Sequence, residues 1–385
     1  MAYQPKLYRD QLAQLVASPS VSCAVADWDM SNINVIELLA NWFGESGFKT
    51  QILHLEQEGK ANLIATLGSG DGGLVLAGHS DTVPYDADSW SSDPFTLTEK
   101  DGKLFGLGAT DMKGFFPVIL AAVQPYLHAE FKHPLIVLAT ADEESSMNGA
   151  RALAKNGLGG ASPRYAVIGE PTELVPIHMH KGIMMEAIRV RGKSGHSSDP
   201  SLGNNALEAM NQVMSELIKL RGELQLNYRN PGFAVQSPTL NLGCIHGGDG
   251  ANRICAECEL HFDLRLLPGM DNDAVRAAIQ QRLTPIAETS GTDIVFSSLF
   301  EGVAPFGEDE NSELVKACEQ LTGQRAESVA FATEAPFMQQ LGMQTLVLGP
   351  GSINQAHQPD EFIPLDQIEP AVKILRGLIE RYCLT

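Results

Sequence analysis

Residues 72–84 read GGLVLAGHSDTVP, an apolar run that ends in His79-Ser80-Asp81. Two other stretches have the same character: PLIVLATADEESS at 134–146, closing on Glu143 and Glu144, and YAVIGEPT at 165–172, closing on Glu170. A short, continuous apolar run is the signature of a strand buried on both faces. A carboxylate or imidazole just past such a strand is badly placed for packing. It is well placed for a ligand, because open α/β sheets bind at the carboxyl ends of their strands. Helical periodicity precedes and separates these runs, at 32–48 (NINVIELLANWFGESGF, stopped by Gly47), 113–127 (KGFFPVILAAVQPYL) and 149–157 (GARALAKNG). The alternation predicts an α/β fold: a mostly parallel twisted sheet with helices on both faces.

The pattern changes near residue 181. Strand-like 183–194, helical 204–221, strand-like 239–248 and 255–269, helical 273–288 and strand-like 292–302 follow in order. This β-α-β-β-α-β succession is that of a ferredoxin-like α+β domain. The first pattern then resumes with a helix at 311–321, the strand TLVLGPG at 345–351 and a helix at 365–383. The expected organisation is a discontinuous domain, 1–180 and 294–385, carrying an inserted domain at 181–293.

Composition bounds the partners. The formal net charge of −20 over 385 residues argues against a nucleic-acid partner and an anionic membrane surface, and favours cations. The N-terminus lacks the apolar core of a signal peptide. No apolar stretch reaches the roughly 18–20 residues needed to span a bilayer. Six dispersed cysteines fit a reduced, cytoplasmic setting. Cys255 and Cys258 have the C-x-x-C spacing of one half of a zinc knuckle, but without a second pair they read as packing residues.

The polar residues at the strand ends carry two readings each. His79 and Asp81 share one side of an extended chain, where a carboxylate can fix the tautomer of a metal-binding imidazole; a strand-end histidine that is merely hydrogen-bonded is the alternative. Asp111, in GLGATDMKG at 106–114, suits either a helix N-cap or a carboxylate bridging two cations. Adjacent Glu143 and Glu144 point apart, so one can ligate metal while the other serves as a base, or both can be a solvated turn. Glu170 could pair with a Lys or Arg, and His357 in NQAHQPDE (354–361) could be an ordinary loop histidine. Together they offer the mixed nitrogen and oxygen donors that suit Zn²⁺, Co²⁺ or Mn²⁺. Phosphate-loop, dinucleotide and nucleophile-elbow motifs are absent.

HSDTVP, GLGATDMKG, ADEESS, IGEPT and NQAHQPDE, in this order and around an inserted domain, resemble the M20 family of co-catalytic zinc amidohydrolases. The resemblance covers nearly the whole chain. It implies two zinc ions, one on His79 and Glu170 and the other on Glu144 and His357, with Asp111 bridging and a cis peptide after it. Asp81 would orient His79, and Glu143 would be the general acid/base acting on metal-bound water. His196, in KSGHSSDP (193–200), would donate to the oxyanion in a partner subunit, which implies a homodimer built through the inserted lid domain. Asn252 and Arg265, with Arg253 a weaker candidate, would hold a substrate carboxylate. Thr333 and Glu334 would meet the substrate amine, and Gly349 and Gly351 would allow close approach. The implied reaction is hydrolysis of N2-acetyl-L-ornithine to L-ornithine and acetate, within arginine biosynthesis. Desuccinylase, aminoacylase and dipeptidase activities, a one-metal enzyme and a non-catalytic metal-stabilised binder are the competing readings.

Overall fold

The computed structural model describes residues 4–385. The chain forms two compact units, one comprising the residues through His178 with Glu308–Glu327 and Thr333–Thr385, the other Met179–Gly307 with Ser328–Ala332.

In the first unit the apolar runs are strands. Leu74–His79, Leu135–Thr140 and Tyr165–Ile168 are buried at every position. The first six strands of the sheet run in the order Lys49–His54, Ala61–Leu67, Leu135–Thr140, Leu74–His79, Tyr165–Ile168, Gln344–Val347. Pairing is parallel through the middle of this order and antiparallel where Ala61–Leu67 joins its two neighbours. Successive side chains on a strand leave opposite faces. Leu74, Leu76, Leu135, Val137 and Val167 enter one large core with the helices Ile33–Glu45, Phe115–Val123 and Ile368–Ile379. Their neighbours Val75, Ala77, Ile136, Leu138 and Ile168 face the other way and are equally buried, so both faces are covered. Each Leu or Val so buried contributes about 1.5–3 kcal/mol relative to exposure.

The second unit is a four-stranded antiparallel sheet in the order Thr239–Gly247, Glu257–Arg265, Met184–Arg191, Asp293–Ser298. The helices Ala206–Asn227 and Asn272–Ser290 pack on it through Met210, Val213, Leu217, Ile279 and Leu283, which is the ferredoxin-like arrangement. This unit extends past residue 293, a correction to the expected boundary. Asp293–Ser298 completes its sheet by pairing with Met184–Arg191, and Val303 bridges back to Ile183. All six cysteines are free thiols, and Cys255 and Cys258 are buried. Among the described residues no helix is long and apolar enough to cross a membrane.

Candidate metal centre

Sheet register explains why distant residues meet. His79 lies beside Thr140, and Ala77 beside Ile168, across parallel ladders. The three strands therefore end together, and the turns leaving them carry Asp81, Glu143–Glu144 and Glu170 to one edge. The loop 106–114 brings Asp111 to the same place, and the Asp111–Met112 peptide is cis, as the resemblance implies.

Donor atoms gather into two groups. His79, Asp111 and Glu170 form one, and Asp111, Glu144 and His357 the other; within each group the candidate ligand atoms all lie within 4.8 Å of one another. Asp111 belongs to both. Its Oδ1 is 3.0 Å from His79 Nε2 and its Oδ2 is 3.4 Å from His357 Nε2. Glu144 Oε2 lies 3.0 Å from His357 Nε2, and Glu170 Oε1 lies 3.8 Å from His79 Nε2. His357 adopts a left-handed backbone (φ 59°), which turns its ring toward the cluster from an otherwise exposed loop.

Electrostatics distort every group in the cluster. Burial alone would lower His79, but its hydrogen bond to Asp111 and the charges of Glu170 and Asp81 outweigh it and hold the imidazole well above its usual range. Asp111 resists its own burial because His357 and His79 hold it below the carboxylate range. His357 is driven up to about 10 by its hydrogen bonds to Asp111 and Glu144. Glu143 and Glu170 are pushed well above normal, chiefly by burial and then by neighbouring carboxylates. Glu144 moves the same way for the same reasons. Negative charge packed this densely out of water needs positive charge to offset it. The two imidazoles occupy that role in the protein alone. Glu144 Oε1 and Glu170 Oε1 are buried with no hydrogen-bond partner. Two orphaned carboxylate oxygens, two imidazole nitrogens and a shared aspartate are a donor set that fits two divalent cations of the zinc type.

Asp81 differs from its expected role. His79 Nδ1 is 3.1 Å from the Asp81 backbone carbonyl and 3.7 Å from its carboxylate. The carbonyl therefore accepts from Nδ1–H and leaves the Nε2 lone pair for a cation. The Asp81 carboxylate instead accepts the backbone N–H groups of Glu143 (3.3 Å) and Glu144 (3.1 Å), holding the acidic pair by its main chain.

Glu334 is buried beside the cluster. Burial pushes its carboxyl up to about 7 against the opposing pull of Thr140 and His79. Thr333 is buried, and its hydroxyl accepts the Ala335 N–H at 3.1 Å at the start of a short helix. Gly351 has φ +91°, and a Cβ there would lie 1.9 Å from Thr110 Oγ1, so it packs on the loop one residue before Asp111. Gly349 is equally tight: a Cβ would lie 2.2 Å from the Gly169 carbonyl oxygen. In the second unit, His196 and Asn252 belong to neighbouring loops, since Ser197 N–H donates to the Asn252 carbonyl at 3.1 Å. His196 and Asn252 are exposed, and the His196 Nδ1 lies 2.7 Å from the Ser198 hydroxyl. Arg265 stands apart at the end of its strand and pairs with Asp263 at 3.1 Å, while Arg253 pairs with Asp249 at 2.6 Å.

Sequence reasoning overlooked two supporting residues. Glu361, in the quoted NQAHQPDE, is buried and accepts backbone N–H groups from the Asp111 loop. Burial and the Asp111 charge push it up to about 8, against those donors. Lys60 is buried behind the acidic turn and pairs with Asp29 and Asp142, each at 2.7 Å. Burial opposes its charge, but the two aspartates outweigh that and hold it above its ordinary value. Asp142, at φ 58°, starts the turn that presents Glu143 and Glu144, and its carbonyl accepts the Ser146 and Met147 N–H groups. Lys60→Met should cost about 3–5 kcal/mol of unfolding free energy, because it leaves buried aspartate charge without its partner. Urea denaturation followed by circular dichroism checks this, and a loss below about 1 kcal/mol would contradict it.

A family model described as peptidase family M20/M25/M40 matches residues 75–381. A curated protein of Proteus mirabilis named acetylornithine deacetylase is 49% identical over 380 residues, 98% of this chain and 96% of that one. The crystal structure of the aminopeptidase PepT from Bacillus cereus aligns with a TM-score of 0.75 at 18% identity, covering 98% of both chains. The Bacillus subtilis YXEP protein, described as a dinuclear metal-binding peptidase, aligns with a TM-score of 0.68 at 16% identity, covering 97% of both chains.

Proposed function

We propose, from the premise that this chain belongs to peptidase family M20/M25/M40, that it hydrolyses N2-acetyl-L-ornithine to L-ornithine and acetate. The observation that carries the reading is the pair of donor groups sharing Asp111, in a chain 49% identical to a protein named acetylornithine deacetylase. His79 and Glu170 would hold one cation and Glu144 and His357 the other, with Asp111 between them. Bound there, two divalent ions, zinc or cobalt in its place, supply Lewis acidity and a water whose pKa falls toward roughly 7.

The protein's own groups do the rest. Glu143 is in neither donor group, so its carboxylate is free to take the proton of the attacking water. It holds that proton until the C–N bond breaks, when the proton passes to the leaving nitrogen. Asp81 keeps Glu143 and Glu144 in place through their backbone N–H groups. His196 is proposed as the N–H donor to the developing oxyanion. Asn252 and Arg265 are proposed as donors to the α-carboxylate, and Thr333 with Glu334 as the residues that recognise the side-chain amine.

The proposed setting is cytoplasmic and the proposed assembly a homodimer through the second unit. Its edge strand Thr239–Gly247 carries exposed Ile245 and has no strand partner on its outer side among the described residues. The test is acetate release by purified protein, stripped with chelator and reloaded with zinc or cobalt. Acetylornithine should be turned over at least about tenfold faster, by kcat/KM, than succinyl-diaminopimelate or dipeptides, a difference of about 1.4 kcal/mol at the transition state. Faster cleavage of another acyl amino acid would reject this substrate, and activity without metal would reject the mechanism.

A further inference from the structure

We propose that Glu361 is a positioning residue that locks the two ends of the Asp111–Glu144–His357 group together. The inference rests on the two-cation reading of the site. Glu361 Oε2 accepts the Gly108 N–H at 2.9 Å, and Oε1 accepts those of Thr110 (2.8 Å) and Asp111 (3.0 Å). Its backbone carbonyl accepts the Gly106 N–H at 3.0 Å. One buried residue thus takes up main-chain donors along the whole loop that carries Asp111. The next residues, Phe362–Pro364, pair antiparallel with Lys103–Phe105 just before that loop, which fixes the position of Glu361 from the other side.

Glu361 is also four residues after His357 in the same segment. The polypeptide that supplies the His357 imidazole is therefore tied directly to the backbone of Asp111, its partner in the donor group. The other group shares Asp111 but depends less on this link, because its His79 and Glu170 sit at the ends of adjacent strands already held in register by Leu74–His79 and Tyr165–Ile168. A strut is needed where a loop ligand meets a loop ligand, and it is found there.

The chemistry requires a carboxylate. A carboxyl group can meet N–H donors with both oxygens, fully so when ionised, which is the form these three donors favour against the push of burial. An amide of the same shape would turn an NH₂ toward either Gly108 N–H or the Thr110 and Asp111 pair, leaving a buried donor facing a donor. The loop would then relax, and Asp111 would lose its alignment with His357 more than His79 loses its alignment with Glu170.

Metal-free wild-type protein and Glu361→Gln are titrated with Zn²⁺ by calorimetry at fixed pH, with folding checked by circular dichroism. Wild type should take up two ions. In Glu361→Gln one step should fall by about 10–100-fold while the other changes several-fold less, so the ratio of the two constants shifts. A general loss of stability moves the melting temperature without moving that ratio. An unchanged ratio in folded variant overturns the inference while leaving the two-cation reading intact. Wild type that binds fewer than two ions overturns both. If Glu361→Gln does not fold, Glu361→Asp, which keeps the charge but withdraws it by one methylene, is read by the same ratio.

Discussion

Glu143→Ala is expected to reduce kcat by about 10²–10⁴-fold, the range for a positioned acid/base, while two zinc ions remain bound. The prediction follows from where the two acidic neighbours point. Glu144 turns to His357, with Oε2 3.0 Å from its Nε2. Glu143 takes no part in either donor group. Its backbone is held independently, because the N–H groups of both residues donate to Asp81. Truncating Glu143 beyond Cβ therefore leaves the placement of Glu144 unchanged. Metal content by atomic absorption, measured beside kcat, separates the two effects. Activity within about tenfold of wild type would mean that another group moves the proton. Buried Glu334, pushed up to about 7, would be the next residue to replace.

Asp111→Ala is expected to have the broadest effect. No other described residue belongs to both donor groups, so its loss removes a ligand from each. At least one zinc should be lost at micromolar metal, with affinity weakened beyond the ~10–100-fold typical of residues that only support a ligand. Turnover should fall with it. An electrostatic effect opposes this loss. Asp111 is among the charges that push Glu144 and Glu170 upward, so removing it lets both carboxyls return toward their ordinary range. Each would then ionise more readily and be the better ligand for it. A net loss of metal must therefore come from the missing bridge, overriding that gain. Retention of two ions at wild-type affinity would refute the bridging role.

The runs at 74–79, 135–140 and 165–168 are strands because unbroken apolar sequence of that length, bounded by turns, suits burial on both faces of a sheet. The residues after them were readable as candidates because charge at the end of such a strand has no packing use. The ferredoxin-like unit was readable from the order of its elements, its last strand included, although the boundary expected at 293 cut that strand off. The strand Asp293–Ser298 has alternating, half-exposed residues, and its membership depends on which neighbour it pairs with.

Asp81 shows where local reasoning stops. Its spacing from His79 suggested a carboxylate-to-imidazole contact, yet the backbone carbonyl makes the closer approach and the carboxylate serves a turn some sixty residues later in the chain. Glu361 and Lys60 gave no local signal at all. One binds a loop about 250 residues earlier, and the other supports a turn about 80 residues later. No periodicity or spacing rule extends over such separations.

Sequence alone determined the element types, the order in which they occur and the chemical kinds of the residues at the strand ends, because these follow from burial, periodicity and functional-group chemistry within a few residues. Tertiary structure decided the strand order, the register that sets His79 beside Thr140, and therefore which donor faces which. Those choices arise from hydrogen bonds between backbone segments that look alike in sequence and are distinguished only when the whole sheet closes.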